Sequence, residues 1–185
     1  MIDDVLEEAE AKMAKARDVL LDDLRSMRTG RASPALVERL RVDYYGTPTP
    51  LNQMAAISVP EPRLLVVRPW DPNVLGEIEK AILKSDLGLT PNSDGALIRL
   101  AIPRLTEERR QELTKVVGRR VEEGRVAVRN VRRNAQEDLR DLEKEGLISE
   151  DELHSARKKL QELHDKYVDE TGAIGKAKQK EVLEI

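Results

Sequence analysis

The chain has 185 residues, 36% charged and 39% hydrophobic, with one Trp, three Tyr, no Phe and no Cys. The missing cysteine excludes disulfides, thiol chemistry and cysteine zinc sites, and apolar runs as short as Leu64 to Val67 exclude a membrane-spanning helix. With 32 basic and 35 acidic residues and a formal net charge of -3, binding to nucleic acid is excluded unless the positive charges are gathered on one patch.

So few aromatics suit long helices with narrow apolar seams. The start, Met-Ile-Asp-Asp-Val, has neither a basic stretch nor a following apolar core. A cytoplasmic protein without metal or cofactor is therefore expected. Residues 2 to 28 repeat apolar side chains at Ile2, Val5/Leu6, Ala9, Met13, Ala16, Leu20, Leu24 and Met27, one face of a first helix with an acidic start. Gly30 and Pro34 in "RTGRASPAL" end it.

From Val37 to Ile102 the character changes, and eight of the nine prolines lie in residues 48 to 103. "LVERLRVDYY", "RLLVVRPW" and "ALIRLAI" read as strands, and "GTPTP" reads as a turn. "VLGEIEKAILKSDLG" carries Val74/Leu75, Ile78 and Ile82 at helical spacing and closes on Gly88. Tyr44, Tyr45 and Trp70 are expected to pack within this small mixed α+β module.

Helix returns after Thr106, a good N-cap followed by Glu107 and Glu108. A stripe of Leu113, Val117, Val121, Gly124, Val128, Val131, Ala135, Leu139 and Leu142 then runs without proline for about 38 residues, roughly 57 Å. Gly146 fits a C-terminal cap. Ser149 and Glu152 make a capping box for a third helix seamed by Leu153, Ala156, Leu160, Leu163, Tyr167 and Ile174.

Helices this long must bury their stripes against one another. Three stripes interrupted by one module predict an antiparallel three-helix bundle (1–29 and 106–185) with a small domain (30–105) inserted between its first two helices. Hinge segments are expected at Thr29, Gly30 and Arg31, and at Pro103, Arg104 and Leu105, because a short double crossing permits rotation but limits separation. A rigid packed interface is the alternative at this point.

On a helical wheel, Arg125, Arg129, Arg132, Arg133 and Arg140 share a sector of about 100° beside the apolar stripe. Glu123, Glu137, Asp138 and Asp141 point elsewhere, with Glu122 and Glu143 as exceptions. Arg28 and Arg31 extend this patch if the end of the first helix lies alongside it. A solvated face with local ion pairs, such as Arg133 with Glu137, is the plain alternative. Arginine in preference to lysine favours bidentate phosphate contact. With so few aromatics, the ligand would be the backbone of folded RNA and not splayed bases.

No GxxxxGK[ST], GxSxG or HExxH motif is present. His154 and His164 lie ten apart on the third helix and are expected at the surface. Catalysis is not expected. A coiled-coil adaptor that binds protein helices through exposed seams is the rival to an RNA-binding factor.

"RTGRASPAL", "YYGTPTPL", "DLGLTPNS", "LTEERR" and "RVAVRNVRR" occur in this order over essentially the whole chain. In this the sequence resembles the bacterial ribosome recycling factor family. The resemblance implies an L-shaped molecule, a three-helix bundle and a β/α/β domain on a flexible double linker. It also implies binding of the bundle to large-subunit ribosomal RNA. With elongation factor G hydrolysing GTP, such a factor splits post-termination ribosomes into subunits. Arg28, Arg31, Arg129, Arg132 and Arg133 match the family's RNA-contacting positions. Gly30 and Pro103 to Leu105 match its linker. A monomer is expected, with no membrane partner and no small-molecule substrate.

Overall fold

The computed structural model describes residues 1–184. The chain divides into two compact units, one of Met1–Leu24 with Gln111–Leu183, the other of Arg25–Arg110.

The first unit is a three-helix bundle of α1 (Ile2–Arg25), α3 (Glu107–Lys144) and α4 (Glu150–Leu183). Leu6, Ala9 and Met13 from α1, Val128, Ala135 and Leu139 from α3, and Leu153, Ala156, Leu160 and Tyr167 from α4 form one core. Val121 of α3 meets Gly175 of α4, and Gln179 Nε2 donates to the Thr114 carbonyl at 3.3 Å, so α3 and α4 run antiparallel. Arg17 reaches Glu170 at 2.8 Å, and the Tyr167 hydroxyl donates to Glu10 at 3.1 Å, tying α1 to α4. Burial raises the Tyr167 phenol, and the neighbouring Glu10 carboxylate adds to the rise.

Both expected caps form. The Arg109 amide donates to Thr106 Oγ1 at 3.2 Å. Ser149 Oγ accepts from the Glu152 amide at 3.1 Å while Glu152 Oε2 accepts from the Ser149 amide at 2.7 Å, closing the box. Gly146 takes φ 73°, the left-handed conformation that ends α3.

Three details of the bundle differ from expectation. Helix α1 stops at Arg25, and Arg28 lies beyond it, where its Nη1 donates to the Leu87 carbonyl at 2.7 Å. The seam of α4 keeps Leu163 packed against the core but continues through His164, Thr171, Gly175 and Val182, with Ile174 only half-buried; at Gly175 the missing side chain lets Val121 of α3 approach. His164 is accordingly buried and not a surface residue.

The second unit contains β1 (Arg41–Tyr44), β2 (Thr47–Pro50), β3 (Ala55–Glu61), β4 (Leu64–Pro69), α2 (Leu75–Lys84), β5 (Pro91–Ser93) and β6 (Ile98–Ala101). The first two strands form an antiparallel ribbon, and the others a second antiparallel sheet in the order β3-β4-β6-β5. Leu65 and Val67 of β4, with Ile98 and Leu100 of β6, point inward on alternate positions and pack with Ile78 and Ile82 of α2.

"GTPTP" is mostly strand here, since Thr47–Pro50 pairs with β1. The turn is Tyr45-Gly46, with φ 49° and 86°, the two positive values of a tight hairpin turn. A two-stranded ribbon has only edges, so Pro48 and Pro50 cost it no ladder partner. "LVER" is not strand: Leu36 ends a 3₁₀ turn, Pro34–Leu36, opened by Ser33 Oγ accepting from the Ala35 amide, and residues 37–39 continue as turn. Tyr44, Tyr45 and Trp70 do not pack inward: Trp70 is 66% and Tyr45 69% exposed.

Candidate nucleic-acid interface

Helix α3 positions the arginines because its apolar side is fully engaged. Leu113, Val117, Val121, Gly124, Val128, Ala135 and Leu139 are buried, and Val131 and Leu142 half-buried, which fixes the rotation of the helix. Arg125, Arg129, Arg132 and Arg133 emerge beside that stripe along about 12 Å of axis. Arg129 and Arg133 are exposed, whereas Arg125 and Arg132 are half-buried.

The half-buried pair lies along α4. Arg125 passes over Gly172, where an added Cβ would stand 3.2 Å from its Nη2. Arg132 Nη1 donates to Gln161 Oε1 at 3.0 Å. The amide of Gln161 donates in turn to Asp165 Oδ1 at 2.9 Å, and His164 Nδ1 stands 2.9 Å from the same oxygen. Hydrogen bonds from His164 and then Gln161 hold the Asp165 carboxyl below its usual range, so it stays anionic near Arg132. Nothing in the α3 pattern pointed to Gln161. The only signal was its spacing from His164 and Asp165, three and four residues along one face.

Among the described residues Glu122 is the acid that forms ion pairs with the array. It pairs with Arg129 at 3.1 Å and Arg125 at 3.8 Å. Exposed pairs of this kind contribute about 0–1 kcal/mol, so a phosphate can displace the carboxylate. The Arg133–Glu137 pair does not form among the described residues, and Arg133 is exposed.

Arg28 and Arg31 belong to the other unit. Arg28 is half-buried and bound to Leu87, whereas Arg31 is exposed. Of the expected hinge residues, Thr29 and Gly30 are buried, and Gly30 takes φ 82°. Pro103 and Arg104 are exposed, and Leu105 is half-buried. Among the described residues no helix is long and apolar enough to cross a membrane, and no group of His, Asp and Glu is placed to hold a metal.

Fold and arginine face together define a class: a three-helix-bundle protein with a small antiparallel α+β unit spliced between the first two bundle helices and a guanidinium array along the second. The family model described as ribosome recycling factor matches residues 20–183. The chain is 60% identical to the ribosome-recycling factor of Roseiflexus castenholzii and 56% to that of Carboxydothermus hydrogenoformans, over 100% of each chain. A solution structure of the ribosome recycling factor matches at 44% identity with a TM-score of 0.81, covering 100% of this chain and 98% of that one. A second match, at 44% identity, TM-score 0.70 and 99% coverage of both chains, comes from models of the T. thermophilus factor and E. coli elongation factor G bound to the E. coli post-termination complex. The chain belongs to the ribosome recycling factor family.

Proposed function

We propose that this protein is a non-enzymatic translation factor that, with elongation factor G and GTP hydrolysis by that partner, disassembles post-termination ribosomes into subunits. The observation that carries this is the full-length identity to named recycling factors, one of which has been placed with elongation factor G on the post-termination complex. The bundle would bind large-subunit ribosomal RNA through Arg125, Arg129, Arg132 and Arg133, with Arg28 and Arg31 adding contacts. With no nucleotide-binding motif in the chain, the work of breaking subunit contacts comes from the partner GTPase. Residues 29–31 and 103–105 act as hinges between the bundle (1–29, 106–185) and the inserted domain (30–105). The protein works as a cytoplasmic monomer.

Burial of the α3 stripe disfavours the adaptor reading, since the seam such a partner would need is already occupied. Subunit splitting followed by light scattering tests the proposal: scattering falls only when the protein, elongation factor G and GTP are all present. Splitting without the GTPase, or none with it, overturns the reading. Arg132→Ala should weaken large-subunit binding and flatten its salt dependence while helicity stays unchanged; an unfolded variant would make Arg132 structural. Labels at Ser93 and Ser155 should report a broad spread of distances, and one narrow distance would remove the hinges.

A further inference from the structure

The second unit carries a cationic site of its own. A cavity of about 860 Å³ is lined by four arginines, Arg31, Arg63, Arg104 and Arg110, against a single acid, Glu61. Arg110 is half-buried and engaged within the protein. The other three are exposed, and among the described residues none of them makes an ion pair or side-chain hydrogen bond. They come from three places in the chain: the segment after α1, the turn between β3 and β4, and the segment leaving β6.

Two backbone hydrogen bonds hold these segments in register. The Ala32 amide donates to the Pro62 carbonyl at 2.8 Å, and the Ile102 amide donates to the Arg63 carbonyl at 2.8 Å. The walls are therefore built before any ligand arrives, and four arginines line them against the one carboxylate of Glu61, which pairs with none of Arg31, Arg63 and Arg104 among the described residues. An excess of charges of one sign around one cavity is satisfied by a polyanion.

We infer that this cleft binds the phosphodiester backbone of RNA, as a second contact separate from the α3 face. The inference rests on the proposed action on ribosomal RNA and assigns part of it to the inserted unit through Arg31, Arg63 and Arg104. Guanidinium forks match phosphate oxygens two at a time. No aromatic side chain lines the cavity, so bases are not stacked there and the contact is indifferent to sequence. An acidic peptide fits less well. A peptide seated by strand addition needs free main-chain groups, and the amides of Ala32 and Ile102 are already bonded within the unit.

The test uses the full-length protein and a fluorescein-labelled oligouridylate of about 10 nucleotides, with anisotropy read across a salt series. The double variant R63A/R104A should bind about tenfold more weakly or worse. Its salt slope should be shallower, by about 0.7 for each lost phosphate contact. Arg68→Ala, exposed on β4 outside the cleft, should bind as the parent does. R63K/R104K, which keeps charge but loses the fork, should fall between parent and double alanine. It also serves if the alanine pair disturbs the fold. Amide NMR shifts on adding the oligonucleotide should centre on residues 31, 63 and 104, and should persist in R129A/R133A.

If R63A/R104A binds like Arg68→Ala while R129A/R133A loses binding, the α3 reading stands and this site falls. If neither pair changes binding, both fall. Polyglutamate displacing the oligonucleotide as well as unlabelled oligouridylate does would assign the cleft to acidic protein segments and overturn the inference. Inorganic phosphate matching the oligonucleotide at equal phosphate concentration would reduce it to a simple anion site and overturn it equally.

Discussion

Replacing Gly175 with alanine tests whether the α3–α4 packing has been read correctly. A Cβ at this position would stand 2.3 Å from Cγ2 of Val121, and 3.5 and 3.7 Å from its Cβ and Cγ1. Comfortable carbon contacts lie at about 3.5–4.0 Å, so the overlap exceeds 1 Å. A helical valine holds one χ1 rotamer in about nine cases of ten, and Val121 cannot swing clear. The helices must part locally, which costs about 1–3 kcal/mol. Removing a helical glycine returns about 1 kcal/mol of intrinsic propensity. An overlap this large puts the packing cost in the upper half of its range, about 2–3 kcal/mol, and the net is a loss of about 1–2 kcal/mol. Gly118, exposed on the same α3 as Val121, supplies the control. Its added Cβ meets nothing closer than Gln179 Nε2 at 3.9 Å. Gly118→Ala should therefore stabilise by about 1 kcal/mol. Urea unfolding followed by circular dichroism at 222 nm reads both. Adding Val121→Ala to the Gly175 variant should give a positive coupling of about 1 kcal/mol or more. Two glycine variants shifting stability the same way, or no coupling at all, would refute the packing argument.

Two further outcomes follow from local geometry. Ser149→Ala opens the capping box of α4 and should lower bundle stability by about 1 kcal/mol in the same unfolding assay; an unchanged midpoint would mean that the reciprocal bonds carry nothing. Asp94 accepts from the Ala96 and Leu97 amides and then from Arg99, which holds its carboxyl below the ordinary 3.8. The stability it contributes is thus complete above that value and lost as pH falls through the lower folded one. A carbon-detected NMR titration should place Asp94 below other exposed aspartates, and Asp94→Asn should flatten that part of the acid limb. A midpoint at or above 3.8 would contradict the turn geometry.

The bundle was legible because its signals are periodic and redundant. The α3 stripe, its N-cap at Thr106, its stop at Gly146 and the Ser149–Glu152 box each mark a boundary independently, and all coincide with the helix Glu107–Lys144 and the start of α4. The small unit was legible at β4, β6 and α2, where apolar residues face one core at regular intervals, and in the second half of "LVERLRVDYY", which forms β1. Strand β3 escaped because Pro60 sits at a register shift between Ser58 and Glu61, and because its outer positions are exposed. The hairpin at Tyr45-Gly46 escaped because tyrosine is a poor advertisement for positive φ. Charge sorting on α3 could be read from a wheel. Burial of His164, and Gln161 bracing Arg132 from another helix, could not be, since each depends on how α3 and α4 meet. Arg63 was invisible for the same reason: backbone pairing, not sequence proximity, sets it beside Arg31 and Arg104.

Trp70, two-thirds open to water on the inserted unit, is the only indole in a protein without phenylalanine. Its emission will resemble that of the free fluorophore and barely register melting of the helices. It will dim, brighten or shift in colour when something settles over that corner of the surface. The molecule thus carries an intrinsic optical reporter for whatever docks there, one that needs no dye.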